Sequence, residues 1–213
     1  MKYKLVIFDW DGTVMDSVGR IVSSMQNAAR IINCDVPSDH DVKSIIGLSL
    51  EKAVAILFPQ QSVEQHQSLI LHYRKQYKED NSVPTPYFSG VAHVLSTFKQ
   101  QDVLLAVATG KGRQGLERVW GDYKEYFSIS RCSDDAQSKP HPEMIEQILT
   151  ALNIEKSEAV MVGDSIHDLA MANSAGVDSI GVTYGVHSEQ ELQVYNPIAV
   201  IDSFEEILTV TKY

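Results

Sequence analysis

Two aspartates stand two residues apart directly after a short apolar run at the start of the chain. The run is Lys4–Phe8, and Asp9, Asp11 and Gly12 follow it. Side chains at i and i+2 of an extended backbone point to the same side, so both carboxylates can face one reaction centre. Gly12 permits the sharp exit that such a pair needs. The same residues also fit a plain turn after a strand, so the pattern by itself leaves both interpretations open.

A second pair of acids follows another apolar run. Gly163 and Asp164 follow the run Ala159–Val162, and Asp168 comes four residues after Asp164. If a helix begins at Ser165, Asp168 lies in its first turn and faces back toward the strand end. A cluster of carboxylates with no cysteine suits a hard cation such as Mg²⁺. We expect His167, between the two acids, to line the helix surface or a pocket rather than to bind the metal.

Two further motifs carry groups that could hold a phosphate. Thr109 and Gly110 follow the run Val103–Ala108, and a hydroxyl with free N–H groups at a helix start binds anions. The alternative is an ordinary helix cap. Lys139 precedes Pro140 and Pro142, which stiffen the backbone and fix where its ammonium points. A fixed cation beside a transferring phosphoryl group neutralises developing charge, although an isolated lysine there would ordinarily be solvated.

The elements that must position these residues alternate along most of the chain. Continuous apolar runs predict strands buried on both faces, and helical periodicity appears between them. This alternation predicts a doubly wound α/β fold with a parallel sheet and right-handed crossovers. The expected strands are Lys4–Phe8, Val103–Ala108, Ser128–Arg131 (a weaker candidate), Ala159–Val162, Ser179–Val182 and Ile198–Ile201, and the expected helices are 89–100, 112–120, 141–152 and 166–175.

One region breaks the alternation and contains helical patterns alone. It runs from Ser17 to about residue 80, and residues 81–86 read as a linker back to the sheet. Its expected helices include one with an apolar face, and an insertion after a strand's carboxyl end lies over the crevice where α/β proteins bind ligands. We therefore expect a helical cap over residues 16–84 and a core over residues 1–15 and 85–213. The helical segments are 38–46, 50–57 and 62–79, and the apolar face comprises Ile21, Val22, Met25, Ala28, Ala29 and Ile32.

The amino-acid composition argues against several classes of binding partner. The 213 residues carry a net charge of −10, which argues against a nucleic-acid backbone or an anionic membrane as partner. An anionic substrate would need a metal or a few well-placed lysines. Cys34 and Cys132 lie in no metal-binding spacing and are expected to be free thiols in a reducing compartment. With no visible signal peptide or apolar span, the expected location is the cytoplasm.

The four motifs, in this order, resemble those of the haloacid dehalogenase-like superfamily. The motifs are Asp-x-Asp-Gly-Thr, Thr-Gly, Lys-Pro and Gly-Asp-x₃-Asp, and the helical insertion also matches the family's cap, so the resemblance covers the whole chain. The phosphoglycolate phosphatase-like branch is the most similar. The resemblance implies a Rossmann-like core and a Mg²⁺-dependent phosphatase that hydrolyses small phosphate monoesters through an aspartyl-phosphate intermediate.

The resemblance also implies roles for individual residues. Asp9 matches the nucleophile and a metal ligand. Asp11 matches the general acid/base, with its backbone carbonyl also on the metal. Thr109 and the Gly110 amide match the pair that holds the phosphate, and Lys139 matches the cation that orients nucleophile and phosphate.

Two acids and one loop complete this assignment. Asp164 matches the second metal carboxylate, and Asp168 matches an acid that either supports the metal site or pairs with Lys139. Gly47 and Ser49 lie in a loop, residues 46–51, where relatives hold substrate-selecting residues. That loop contains no arginine, which argues against a strongly acidic substrate such as phosphoglycolate. The loop also fits a simple turn between helices.

Other activities within the same fold are weighed against the phosphatase. A phosphosugar mutase would keep every motif. A dehalogenase needs neither metal nor a second acid, so Asp11 argues against it. A non-catalytic binding protein would be expected to lose one of the motif residues. The expected partner is a small phosphorylated metabolite, and the chain is expected to be a monomer or a homodimer.

Overall fold

The apolar runs of the sequence form a six-stranded sheet in which every pair of neighbouring strands is parallel. The structure is a computed structural model that describes residues 2–80 and 82–212. The strand order is β3-β2-β1-β4-β5-β6, which confirms the expected α/β class. The strands are β1 (Leu5–Phe8), β2 (Leu104–Ala108), β3 (Ile129–Arg131), β4 (Ala159–Gly163), β5 (Asp178–Val182) and β6 (Ala199–Ile201).

Helices cover both faces of the sheet, because alternate residues of each strand point to opposite faces. In β1, Leu5 and Ile7 pack into one hydrophobic cluster, and Val6 and Phe8 pack into the other. The helices of this part of the chain are α5 (Val91–Gln100), α6 (Arg113–Val119), α7 (Glu143–Leu152), α8 (Ile166–Ala175), α9 (Glu189–Gln193) and α10 (Ile207–Val210), with short 3₁₀ turns at Gly121–Tyr126, Lys156–Glu158 and Phe204–Glu206.

The segment between β1 and α5 is helical in the places that the periodicity indicates. Its helices pack around a third hydrophobic cluster of their own, which includes Met25, Val42 and Leu69. The expected apolar face is buried in the first helix, while Ile32 follows the helix end and is half-buried. Asn81, the first residue of the expected linker, lies outside the described residues. The four helices are α1 (Val18–Ile31), α2 (Asp39–Ser44), α3 (Leu50–Leu57) and α4 (Val63–Glu79).

The topology places β1 at the centre of the sheet, and the chain reaches β2 on one side and β4 on the other. Such a reversal of strand order opens a crevice beyond the carboxyl ends of the strands. The register pairs Phe8 with Val107 and with Val162, so the residues that follow these strands meet at one edge. No helix among the described residues is both long and apolar enough to cross a membrane.

Candidate active site

Three of the four motifs meet because β1, β2 and β4 end side by side. Asp9 follows β1, and Thr109 and Asp164 follow β2 and β4. All three side chains are buried. The backbone N–H of Asp9 donates to the carbonyl of Val162 at 3.0 Å and continues the sheet pairing by one residue. The strand register therefore sets where Asp9 lies relative to its neighbours.

Lys139 reaches this edge from the loop between β3 and α7, and its side chain is fully buried. Its Nζ lies 2.7 Å from Oδ1 of Asp9 and 2.6 Å from Oδ1 of Asp168. Burial by itself lowers the pKa of Lys139, but the carboxylates of Asp168 and Asp9 outweigh it and raise the pKa. The lysine therefore stays protonated, and Asp168 forms the Lys139 pair that was one of its two expected roles.

Asp168 also fixes the start of α8. Its Oδ2 accepts hydrogen bonds from the Ser165 backbone N–H at 3.1 Å and from the Ser165 hydroxyl at 2.6 Å. The backbone N–H of Asp168 donates in return to the Ser165 hydroxyl oxygen at 3.4 Å, which completes a capping box. One oxygen thus serves the helix end and the other serves Lys139. Gly163 gives the carboxylate room, since a Cβ there would lie 2.5 Å from its Cγ.

Asp164 is held from two directions. Its Oδ1 accepts from the Thr13 hydroxyl at 2.8 Å, and its Oδ2 accepts from the Val186 backbone N–H at 3.0 Å. Glycines bring the chain close on both sides: an added Cβ would lie 2.1 Å from Oδ2 at Gly12 and 2.2 Å from the same atom at Gly185. Gly12 also has φ +82°, a conformation that favours glycine.

Asp9, Asp164 and Asp168 form the one group of metal-type ligands found among the described residues, with ligand atoms within 4.8 Å of one another. Burial, the largest cause, raises the pKa of Asp9 to about 7, although Lys139 opposes the shift. Burial and the neighbouring Asp9 also raise the pKa of Asp164. Three buried carboxylates lie together, and one lysine pairs with two of them, Asp9 and Asp168, so the site has an excess of negative charge and hard oxygen donors. Both properties fit a divalent cation such as Mg²⁺.

The side chain of Asp11 does not join that group. Both of its oxygens lie 2.8 Å from Nζ of Lys111, and Oδ1 also accepts from the Ser17 hydroxyl at 2.5 Å. The spacing of the first motif predicts that Asp9 and Asp11 face one centre. Both line the same cavity, but their carboxylates pair with different lysines, Lys139 and Lys111. The ammonium of Lys111 also contacts Tyr77 of α4: its Nζ lies 3.4 Å from the phenol oxygen and 4.6 Å from the ring centroid.

The loop that contains Gly47 and Ser49 rests directly on the second motif. A Cβ at Gly110 would lie 2.4 Å from the carbonyl oxygens of both Gly47 and Leu48, so only glycine permits this approach. The backbone N–H of Ser49 donates to the Ser138 hydroxyl at 2.9 Å, beside Lys139 in sequence. The loop thus packs over the strand ends in addition to connecting two helices.

His167 also connects the helical segment with the rest of the protein. Its Nε2 lies 3.0 Å from the carbonyl oxygen of Ser44 in α2, and its ring is partly buried. Burial lowers the pKa of His167, so at neutral pH the ring is uncharged and Nε2–H is the donor that this carbonyl requires. It lies on the surface of α8, where it contacts the helical segment, and it is not among the clustered acids.

Several residues that contact the motif aspartates, or the lysine paired with one of them, are not predicted as site residues from the sequence. Lys111 lies within the second motif and Thr13 within the first, so the motifs themselves indicate that both lie near the site. Ser17 follows closely, but its bond to Asp11 depends on how the chain turns after β1. Nothing local indicates Tyr77, which is 34 residues from Lys111 and meets it only through the fold.

Comparison with known proteins gives consistent matches over the chain. A family model described as haloacid dehalogenase-like hydrolase matches residues 6–182. "Probable phosphatase IndB" of Dickeya dadantii (strain 3937) is 34% identical over 96% of this chain and 91% of its own length. Pyrophosphatase PpaX of Halalkalibacterium halodurans is 28% identical over 99% and 97%.

Solved structures share the fold. A haloacid dehalogenase-like hydrolase structure from Bacteroides fragilis has a TM-score of 0.89 and 26% identity, covering 97% of this chain and 100% of that one. A predicted phosphoglycolate phosphatase from Haemophilus somnus 129pt has a TM-score of 0.88 at 24% identity, covering 99% of both chains. A structure named for β-phosphoglucomutase, from Bacteroides vulgatus, has a TM-score of 0.88 at 18% identity, covering 99% of this chain and 90% of that one. The last two matches establish similarity of fold alone.

Proposed function

Because this chain belongs to the haloacid dehalogenase-like hydrolase family, as a phosphatase of that family, we propose that it hydrolyses small phosphate monoesters with Mg²⁺ and an aspartyl-phosphate on Asp9. The observation that carries the proposal is the setting of Asp9. Its carboxylate is buried at the central strand end, 2.7 Å from Lys139 and within 4.8 Å of Asp164 and Asp168. A buried carboxylate held this way is oriented for attack on phosphorus.

The reaction takes two steps at phosphorus. In the first, an Asp9 oxygen forms a bond to phosphorus while the ester P–O bond breaks, and Asp11 gives a proton to the leaving alkoxide. In the second, Asp11 takes a proton from water, which attacks phosphorus and releases Asp9 and inorganic phosphate. Thr109 and the Gly110 amide hold the phosphoryl oxygens, and Lys139 keeps Asp9 in position.

A divalent cation would be held by Asp9, Asp164 and the backbone carbonyl of Asp11, with Asp168 supporting the site through Lys139. When bound, Mg²⁺ supplies positive charge that reduces the repulsion between the carboxylate nucleophile and the phosphate. The raised pKa values of Asp9 and Asp164 support this assignment, since these carboxylates lack enough positive charge from the protein alone.

Residues 16–84 act in this proposal as the cap that selects substrate and excludes water during the first step. The contacts of Gly47 with Gly110 and of Ser49 with Ser138 support such a role. A phosphosugar mutase would use the same groups, but the full-length relatives are named as phosphatases, which favours hydrolysis. We place the enzyme in the cytoplasm, as a monomer or homodimer, and both cysteines are free, as a reducing compartment would keep them.

Replacing Asp11 with alanine tests the two steps. With p-nitrophenyl phosphate, whose leaving group needs no proton, the first step should stay fast and the second should slow by about 10²–10⁴-fold. Stopped-flow absorbance should therefore show a burst near one equivalent of p-nitrophenol, and rapid-quench mass spectrometry should find phosphoryl mass on the peptide that contains Asp9. An alkyl phosphate should be slowed at both steps and give no burst.

Asp16→Ala is the matched control, since Asp16 lies in the same segment with an exposed side chain. It should behave as the wild-type enzyme. Wild-type rates in Asp11→Ala, without a burst or an adduct, would remove Asp11 from the acid/base role.

Chelation of metal should abolish turnover and change the dependence of stability on pH. Without a metal, burial raises the pKa of Asp9 in the folded protein to about 7, from an ordinary value of 3.8. The folded state therefore binds the extra proton between about pH 4 and 7, and stability falls as pH rises through that window. Mg²⁺ replaces this proton, so millimolar Mg²⁺ should raise Tm by about 5 °C or more at pH 8 and by much less at pH 5.

Scanning calorimetry with and without chelator measures both values, and Ca²⁺, which prefers more ligands at longer distances, should support turnover poorly. Equal Tm shifts at the two pH values, or full turnover in excess chelator, would contradict the assignment.

A further inference from the structure

A cavity of about 720 Å³ lies between the helical segment and the strand ends, with Asp9 and Asp11 in its wall. It is far larger than a phosphoryl group, so it has room for the leaving part of a phosphate ester. Loop 46–51 brings no arginine to it, but other elements bring basic side chains. The basic residues of its wall are Arg74, Lys75, Lys78, Lys111 and Arg118, and the acidic ones besides Asp9 and Asp11 are Glu51, Glu79 and Asp134.

Lys111 differs from the other basic residues because its side chain is only 10% exposed. The others are exposed at the outer part of the wall, and Arg74 is paired with Glu51 at 3.2 Å. A Cβ at Gly115 would lie 3.8 Å from Cγ of Lys111, so the side chain runs past a position with no side chain of its own. Lys111 is thus a nearly buried cation inside the substrate cavity.

The contacts of Lys111 conflict with the chemistry proposed for Asp11. The ammonium lies 2.8 Å from each Asp11 oxygen. An Asp11 oxygen that must protonate the leaving group in the first step cannot be held in a two-point ion pair at the same time. Asp11 therefore needs its partner drawn away. A cation this buried cannot be left alone without a large desolvation cost, so it moves only toward another anion.

We propose that Lys111 is a specificity-determining residue of this enzyme, at which a second anionic group on the substrate takes the ammonium from Asp11 and frees that carboxylate for proton transfer. The inference rests on the proposed function. It names the substrate class as phosphate monoesters whose leaving part carries a carboxylate or a second phosphate. A neutral leaving part offers Lys111 no replacement, so the ion pair with Asp11 persists. The second anion therefore acts on kcat as well as on KM.

Two matched substrate pairs test this. In one, 3-phosphoglycerate and glycerol 3-phosphate differ by a carboxylate in place of a hydroxymethyl group. In the other, the bisphosphate and the monophosphate of propane-1,3-diol differ by a second phosphate. The wild-type enzyme should prefer the anionic member of at least one pair by roughly 10- to 100-fold in kcat/KM, the range of one charged hydrogen bond. The pair that gives the preference identifies the anion.

Lys111→Met should reduce that preference to within about threefold, well below the contribution of one charged hydrogen bond, whereas Lys111→Arg should retain most of it. Lys124→Met is the matched control: Lys124 also pairs with an acid, Glu117, and stacks on an aromatic ring, Trp120, but does not line the cavity. Thermal unfolding confirms that each variant is folded.

Four results would overturn the inference: no preference in the wild type, a preference that persists in Lys111→Met, its loss in Lys111→Arg, or equal losses on all substrates in Lys111→Met. The last would mean that Lys111 only positions Asp11. Failure of the wild type to hydrolyse any ester, p-nitrophenyl phosphate included, would instead overturn the proposed function itself.

Discussion

Replacing Asp9 with asparagine is expected to reduce turnover of every phosphate monoester to background, a fall of roughly 10⁴-fold or more. An amide oxygen is a poor nucleophile, and no other carboxylate can substitute: Asp168 is committed to Lys139 and to the Ser165 cap, and Asp164 is held by Thr13 and Val186. The change is nearly isosteric and removes one of the three clustered carboxylates, only two of which pair with Lys139. The folded protein should therefore remain at least as stable as the wild type at neutral pH.

Steady-state phosphate release with an alkyl and an aryl ester measures the activity, and rapid-quench mass spectrometry should find no phosphoryl mass on the Asp9 peptide. Asp16→Asn changes an exposed aspartate of the same segment and should leave turnover unchanged. Residual activity within tenfold of the wild type would mean that the nucleophile lies elsewhere, and the aspartyl-phosphate proposal would then be lost.

Replacing Lys139 with methionine should impair stability and catalysis together. The substitution keeps a long side chain but leaves Asp9 and Asp168 without their shared cation, in a buried site where Asp164 adds a third carboxylate. Removing one partner of a buried ion pair typically costs about 3–5 kcal/mol. The loss in the free energy of unfolding should be larger at pH 8 than at pH 5, because the aspartates take up protons at the lower pH. The loss of an oriented cation should lower kcat by about 10²–10³-fold.

Urea unfolding at the two pH values measures the first effect, and kcat in Mg²⁺ measures the second. Lys4→Met is the control, because Lys4 forms an ion pair with Glu158 on the exposed side of the protein, and such pairs contribute at most about 1 kcal/mol. A stability loss in Lys139→Met no greater than that of Lys4→Met would show that the three carboxylates do not depend on this lysine.

The layers of the fold follow from local sequence. Runs such as Leu5–Phe8 are apolar at every position, and only a strand covered on both faces buries all of them, as β1 does. The helical insertion is visible because its periodicity changes from that of strands to that of helices. The gathering of Asp9, Thr109 and Asp164 at one edge was also predictable, since parallel strands bring their carboxyl ends to the same side.

The pairing of charges within that edge was decided by the tertiary structure. Lys139 and Asp9 are 130 residues apart, and Lys111 and Asp11 are 100 apart, so no local pattern states which lysine meets which acid. The alternation of an extended strand predicts that Asp9 and Asp11 face the same side, and both line one cavity. Because β1 ends at Phe8, only the fold determines that they pair with different lysines. Whether Asp168 supported a metal or paired with Lys139 likewise depended on the loop between β3 and α7.

The basic residues that line the substrate cavity could not be predicted from the sequence, for the same reason. The family resemblance placed loop 46–51 near the site, and that loop contains no arginine. The basic wall comes instead from α4, α6 and Lys111, segments that are distant in sequence and adjacent only once the helical segment folds back over the sheet. Side-chain type and spacing thus determined the kind of chemistry, and long-range packing determined which charges it acts with.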